Sequence, residues 1–496
     1  MILKKITPLL LATVFLFTAC EKDDEALKEN LTATEEKDKN NQEFGDIEVE
    51  QFVYKGMNDI YLYKADVPVL ADDYFATTTE KNEFLAGFDS PESLFEDLKW
   101  SQDRFSFITD DYISLEESFK GISSSVAGME FGIGRITNTN NIFGYLQYIL
   151  PGSAAEEAGL KRGTVFTEVN GTKLTLNNFS DLLDADSFTI NIGHVENGSL
   201  VMTDETVTLT HSQYTENPVL ISKVLDVDGQ KVGYLMYNSF TADFDDELNA
   251  AFGELKASGV NELILDLRYN GGGSVESAVD LASMITGQYE GEIFMKEQWN
   301  QKYQEYFESE APESLLNRFN PQIRTQEGIN SLNLSRVYII TTIGTASASE
   351  LVINGLDPYI NVVQVGTTTT GKFQASATLY DSPDFGREGA NENHTYAIQP
   401  LIFKSANSAG KTDYVNGLDP DVEIAEDLND LGVLGDPSEP LLRAALNHLL
   451  GKAQETKSAA AKLAAEKFKT IGQSGMNKPG YQKMYVEELP PILDRE

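Results

Sequence analysis

The chain has 496 residues, 41% of them apolar, which is enough for sizeable cores and for more than one domain. Its 38 basic and 78 acidic residues give a formal charge of -40, which excludes a nucleic-acid binder working through a basic stripe and fits a solvated surface. Cys20 is the single cysteine, so no internal disulfide can form.

In chain order, Lys4 and Lys5 precede an apolar run from Ile6 to Ala19 that is short for a membrane span and laid out like a secretory signal over residues 1–19. Thr18-Ala19-Cys20 resembles a bacterial lipobox, with Phe17 where an aliphatic residue is usual. The resemblance implies cleavage before Cys20, lipidation of Cys20 and an exported protein anchored by lipid in the cell envelope (outer membrane, periplasmic or surface face). Residues 20–45 are rich in Glu, Asp, Lys and Asn and read as a flexible linker. From 46 to 120, Val53, Met57, Ile60 and Tyr61 recur at helical spacing and Pro91-Glu92-Ser93 reads as a helix start, predicting an N-terminal helical domain. Residues 122–212 read as short strands. A run from Phe143 to Leu150 ends at Pro151-Gly152, a strand is expected over 164–169, Asn170-Gly171 is a hairpin turn, and Val207 to Leu209 is a last strand.

From 218 to 450, apolar runs at Val232–Tyr237, Leu263–Leu267, Val337–Thr342 and Val362–Gly366 alternate with helical stretches such as Asp245–Lys256 and Val275–Ile285. That alternation predicts parallel strands joined by helical crossovers, and so a multidomain α/β fold with a parallel-rich sheet at its core. Residues 451–496 hold an expected Ala/Lys/Glu-rich helix (Ala453 to Lys469) and a tail with Gly and Pro.

Parallel strands end on one sheet edge, where ligands bind. Three such ends carry chemistry. Asn270-Gly271-Gly272-Gly273 follows the second strand, Thr345-Ala346-Ser347-Ala348-Ser349-Glu350 the third, and Gly371-Lys372 the fourth, with Lys372 standing 25 positions after Ser347. A serine hydroxyl attacks a carbonyl only when a base takes its proton. His194, His211, His394 and His448 all fall away from these strand ends. A buried lysine can be that base. Glycine amides and the amide of Ala348 at a helix start can receive the oxyanion.

At these residues the chain resembles the C-terminal processing peptidases, tail-specific serine proteases with a Ser–Lys dyad. Ser347-Ala348-Ser349-Glu350, Gly371-Lys372, Leu265-Asp266-Leu267-Arg268 with the glycines, and Gly417-Leu418-Asp419-Pro420-Asp421 fall in the family's order, and the likeness runs over about residues 46–450. The resemblance implies a ClpP/crotonase-like core with Ser347 as nucleophile, Lys372 as general base, an oxyanion hole from the amides of Gly272 and Ala348, and protein or peptide substrates with no cofactor. Many members place a lysine-orienting glutamine four residues after the lysine. Here that position is Ser376 and the nearest glutamine is Gln374, so both are candidates for the role. Residues 122–212 resemble the family's PDZ domain. Phe131, Gly132, Ile133 and Gly134 then imply a loop that captures a substrate's C-terminal carboxylate while the peptide adds as a strand. The missing glutamine keeps a second reading open, a peptide-binding envelope protein without turnover. A third, hydratase-type acyl chemistry on a related core, is opposed by the secretion signal. Asp381, Asp384, Asn391 and Glu392 lack the spacing of a calcium loop, so no metal is expected.

Overall fold

The computed structural model describes residues 44–454, 466–476 and 481–493. Cys20, the expected leader, nearly all of the linker and most of the helix expected over 453–469 lie outside the described residues.

Four helices open the described chain: Glu48–Ile60, Thr78–Leu85, Pro91–Asp97 and Tyr112–Phe119. Thr77, Ser90 and Asp111 each start one by accepting from a backbone N–H of its first turn. Glu48–Ile60 buries Phe52, Val53, Met57 and Ile60 along one stripe, the four-residue repeat of an amphipathic helix. That stripe does not close on a core of its own. Phe52, Val53, Met57, Leu94 and Phe95 share one continuous apolar cluster with Leu263, Leu265, Val337, Ile339 and Phe403. The region expected as a separate helical domain is thus one wall of the α/β core.

Next comes a β-rich unit with its own core of Ile133, Leu146, Phe166, Ile190 and Leu209. Asn170 (φ 51°) and Gly171 (φ 72°) form the expected tight turn, between strands Glu168–Val169 and Thr172–Lys173. The last strand is far longer than expected. Ser199–Thr210 pairs with Ser187–Glu196 through a second turn at Asn197-Gly198. Most of Ser199–Thr210 is exposed, so no apolar run announces it. Phe131, Gly132, Ile133 and Gly134 are not in a loop: they lie inside strand Met129–Ile136, which pairs with Ile142–Ile149. The glycines are needed there because a Cβ at Gly132 would lie 2.1 Å from the Tyr145 ring, and one at Gly134 would lie 2.3 Å from the Phe143 ring.

The α/β core holds a six-stranded sheet ordered Val219–Val227, Gln230–Tyr237, Glu262–Asp266, Arg336–Thr341, Asn361–Gly366 and Val422–Glu423. All neighbours but the first pair run parallel. Helices Asp245–Ala257, Val275–Thr286 and Ala348–Leu356 contribute to the apolar cluster on one face, and Pro440–Leu449 to that on the other. Burial on both faces explains why these strands read as unbroken apolar runs.

A second six-stranded sheet was not foreseen. Its order is Gly273–Ser274, Met484–Tyr485, Gln374–Ser376, Leu401–Asn407, Ile293–Trp299 and Leu316–Arg318. The C-terminal segment thus supplies an interior strand, and Phe468–Gln473, at the end of the expected helix, is a strand as well. No helix among the described residues is long and apolar enough to cross a membrane.

Candidate active site

Glu262–Asp266, Arg336–Thr341 and Asn361–Gly366 are neighbouring parallel strands, so the segments that follow them emerge side by side. Ser347 sits at the start of helix Ala348–Leu356 with φ 67° and ψ −116°, a conformation rare for a non-glycine residue. Two bonds to Asn270 fix its turn: the Ala346 N–H and the Ser349 hydroxyl both donate to the Asn270 carbonyl, at 3.1 and 3.0 Å. The serine loop and the glycine loop are therefore laced together.

The loop of Lys372 runs beside the serine loop, the Thr370 N–H donating to the Thr345 carbonyl at 3.0 Å. That loop rests on the 417–421 motif, where Thr369 Oγ1 accepts from Leu418 N (2.8 Å) and Thr368 Oγ1 donates to Asp419 (2.8 Å). Gly417 is required there, since a Cβ would lie 2.2 Å from the Thr369 carbonyl. The amine lies 4.9 Å from the centre of the Phe105 ring, and Arg104 donates to the Gly371 carbonyl at 3.1 Å. Both ends of the expected dyad are buried, Ser347 being 0% and Lys372 2% exposed. Burial pushes the Lys372 amine down to about 7; Asp103 and Glu350 oppose that fall and Lys483 adds to it. The Ser347 hydroxyl is buried without a hydrogen-bond partner, so it is not hydrogen-bonded to Lys372.

Glu350 joins them. Its carboxylate accepts from the backbone N–H of Ser347 (2.8 Å), Gly371 (2.7 Å) and Lys372 (2.8 Å), and from the Thr369 hydroxyl. Burial raises its carboxyl above the usual carboxylate range, and these four donors restrain the rise. Sequence reading quoted Glu350 only as part of a string. The available signal was its place three residues after a helix-capping serine, the spacing at which an acidic side chain reaches back to the cap.

Other expected roles are redistributed. The Gly272 N–H is spent on Asn270 Oδ1 at 2.8 Å, which removes it from the expected oxyanion hole. The Gly272 carbonyl and the Ser274 N–H both face Phe240, so alternation along the strand turns the Gly273 N–H to the opposite side, where Gly273 pairs in register with Met484. The Gly273 N–H thus faces the strand Met484–Tyr485. Gln374 does not orient Lys372, because its amide donates to the Tyr63 hydroxyl at 2.6 Å. Nor does Ser376: its hydroxyl donates to Gln399 Oε1 at 2.7 Å and lies 3.2 Å from the Met484 carbonyl. Arg268, fully buried, binds Asp266 and Glu439 through paired bonds and also meets Glu426, which Arg162 of the β unit grips at 2.6 Å. This network fixes the start of the glycine loop and ties the β unit to the core. Among the described residues no group of three or more His, Cys, Asp or Glu is arranged to hold a metal.

Comparison with known proteins follows the same outline. The profile of peptidase family S41 matches residues 231–424, and that of the peptidase S41 N-terminal domain matches 48–107. The crystal structure of a candidate S41 protease from Bacteroides fragilis NCTC 9343 superposes with a TM-score of 0.64 at 29% identity, covering 80% of this chain and 97% of that one. A chloroplastic C-terminal processing peptidase from Tetradesmus obliquus is 28% identical over 45% of this chain and 46% of its own length. A carboxyl-terminal-processing protease from Picosynechococcus sp. is 26% identical over 54% of this chain and 60% of its own length. The chain thus matches about half the length of these curated relatives.

Proposed function

The chain belongs to peptidase family S41, and we propose that it hydrolyses peptide bonds with Ser347 as nucleophile and Lys372 as general base. The observation that supports this reading is a buried serine and a buried lysine on adjoining loops, their backbones clasped by one carboxylate, Glu350, with the lysine amine brought down to about 7. An amine of that basicity is neutral in good part at physiological pH and can accept the serine proton. In the first step Ser347 Oγ bonds to the carbonyl carbon, its proton passes to Lys372 Nζ, and the carbonyl π pair moves onto oxygen. The amides of Ala348 and Gly273 receive that charge. Collapse breaks the C–N bond, and the leaving amine takes the proton back from Nζ. Water, activated by the same amine, then frees Ser347 from the acyl group. Closing the serine–lysine gap is the adjustment substrate binding must bring, as catalytic bonds often tighten only in the complex.

On this reading the core is of the ClpP/crotonase type and residues 122–212 act as a PDZ domain, substrate C-termini adding along Met129–Ile136 on the side where Phe468–Gln473 now pairs. The substrates are exported proteins with unstructured tails, and the protein works in the bacterial envelope, held by lipid on Cys20. The second reading, peptide binding without turnover, draws support from the unpartnered Ser347 hydroxyl and from Gln374 turning to Tyr63. Cleavage of an unstructured protein, compared among wild type, Ser347→Ala and Lys372→Ala, separates the two. Loss of at least about a thousandfold in both variants is expected. Cleavage that survives either substitution sinks the dyad. A wild type that cleaves nothing and whose Ser347 resists an acylating probe favours the binding protein.

A further inference from the structure

The C-terminal segment touches both surfaces to which the proposed function assigns substrate. Strand Phe468–Gln473 pairs antiparallel with Met129–Ile136, placing Thr470 opposite Gly134 and Gln473 opposite Gly132. Ser474 completes the join, its N–H donating to the Phe131 carbonyl at 2.7 Å. This is the edge on which a peptide strand would be added. Further on, Met484–Tyr485 runs between Gly273–Ser274 and Gln374–Ser376, the segments that follow the glycine loop and Lys372. The Val486 N–H donates to the Ser376 carbonyl at 3.0 Å.

The contact at Ser347 is intimate. A Cβ placed on Gly272 would lie 2.3 Å from the Lys483 carbonyl oxygen and 2.7 Å from Ser347 Cβ, so that carbonyl and the nucleophile crowd the same point. The Lys483 side chain is half-buried in turn, its amine 3.2 Å from the Ser118 hydroxyl and 4.4 Å from the centre of the Phe119 ring. Among the described residues no carboxylate lies within ion-pair reach of it. Phe119 also stacks on Tyr485, 4.3 Å between ring centres. A backbone carbonyl presented to a nucleophile, with its own side chain in a neighbouring recess, is how a peptide substrate lies.

We propose that residues 481–486 are the resident occupant of the substrate cleft. The recess of Ser118 and Phe119 is the subsite for the side chain preceding the bond under attack, and it suits a lysine or another long unbranched side chain. Incoming peptides displace the tail. This inference rests on the proposed function only for where the cleft lies.

The test reads occupancy rather than turnover and is made in the full chain carrying Ser347→Ala and Cys20→Ser. The probe is a fluorescent peptide with the sequence of residues 481–493. A pair of substitutions, Gly271→Cys and Gln482→Cys, places thiols where a Cβ on Gly271 would lie 3.4 Å from Gln482 Cα, close enough for a disulfide. The oxidised protein, its tail tied down, is expected to bind the peptide at least about tenfold more weakly than the reduced protein, a difference of about 1.4 kcal/mol. Lys483→Asp, which loosens the tail without a tether, is expected to bind it about tenfold more tightly than the parent. Equal binding by oxidised and reduced protein, with Lys483→Asp no tighter, overturns the proposal. Because binding needs no nucleophile, loss of the peptidase reading would show separately, as absence of cleavage by the wild type.

Discussion

Replacing Glu350 by glutamine tests the clasp with the least change of shape. The carboxylate uses one oxygen for Thr369 and Gly371 and the other for Ser347 and Lys372. A glutamine amide must turn its NH2 toward one pair. Toward Ser347 and Lys372 it strands two buried N–H groups. Toward Thr369 and Gly371 it strands only that of Gly371, because the threonine hydroxyl can rotate and accept. The second arrangement is therefore adopted, and one buried unsatisfied N–H costs about 1–3 kcal/mol of stability. Glu350→Ala removes all four acceptor bonds, and even with the desolvation of the carboxylate returned it is expected to cost about 3–5 kcal/mol. Both variants let the serine and lysine loops drift, and kcat/KM on an unstructured protein should fall about 100-fold for Gln. The Glu350 charge also supports the Lys372 proton, so its loss lowers the lysine further and moves the acidic limb of the kcat/KM profile to lower pH. Denaturant unfolding and the pH profile, measured together, decide the matter. A Gln variant with parental stability, rate and acidic limb would refute the clasp.

Three further outcomes follow from the same geometry. Since Lys372 works as the neutral amine, kcat/KM should fall about tenfold per unit as pH drops below about 7, and a flat profile from pH 8 to 5 would exclude lysine as the base. Phe105→Ala admits water to the Lys372 amine, raises its basicity and should shift that acidic limb up by about one unit, read from the same profile with stability as control. Arg268→Met leaves Asp266 and Glu439 buried without their cation and should lower unfolding free energy by about 3–5 kcal/mol, measured by urea denaturation.

What sequence could and could not disclose divides along physical lines. The sheet strands buried on both faces, such as Glu262–Asp266 and Asn361–Gly366, announce themselves as apolar runs, and their parallel pairing places Ser347, Lys372 and the glycines on one edge. Asn170-Gly171 declares its turn because few other pairs take positive φ twice. The exposed strand Ser199–Thr210 and the two-residue strands Gly273–Ser274 and Met484–Tyr485 carry no periodicity to detect. Side-chain allegiance was also hidden. That the Gly272 N–H is committed depends on the Asn270 side chain reaching forward two residues, and Gln374 is claimed by Tyr63, 311 positions away. Phe105 escaped notice because an aromatic residue near a helical region looks like ordinary core until the lysine above it is located.

The core shared by the N-terminal helices and the parallel sheet bears on how this molecule can be divided. A fragment trimmed to residues 231–424 would retain Ser347, Glu350 and Lys372. It would lack Phe105 and the stripe of Phe52, Val53 and Met57, and so expose the wall against which the lysine is kept dry. The basicity of the general base is in this sense supplied from outside the segment that contains it. Cutting or grafting that respects only the position of the reacting groups would yield a domain with a protonated, idle amine.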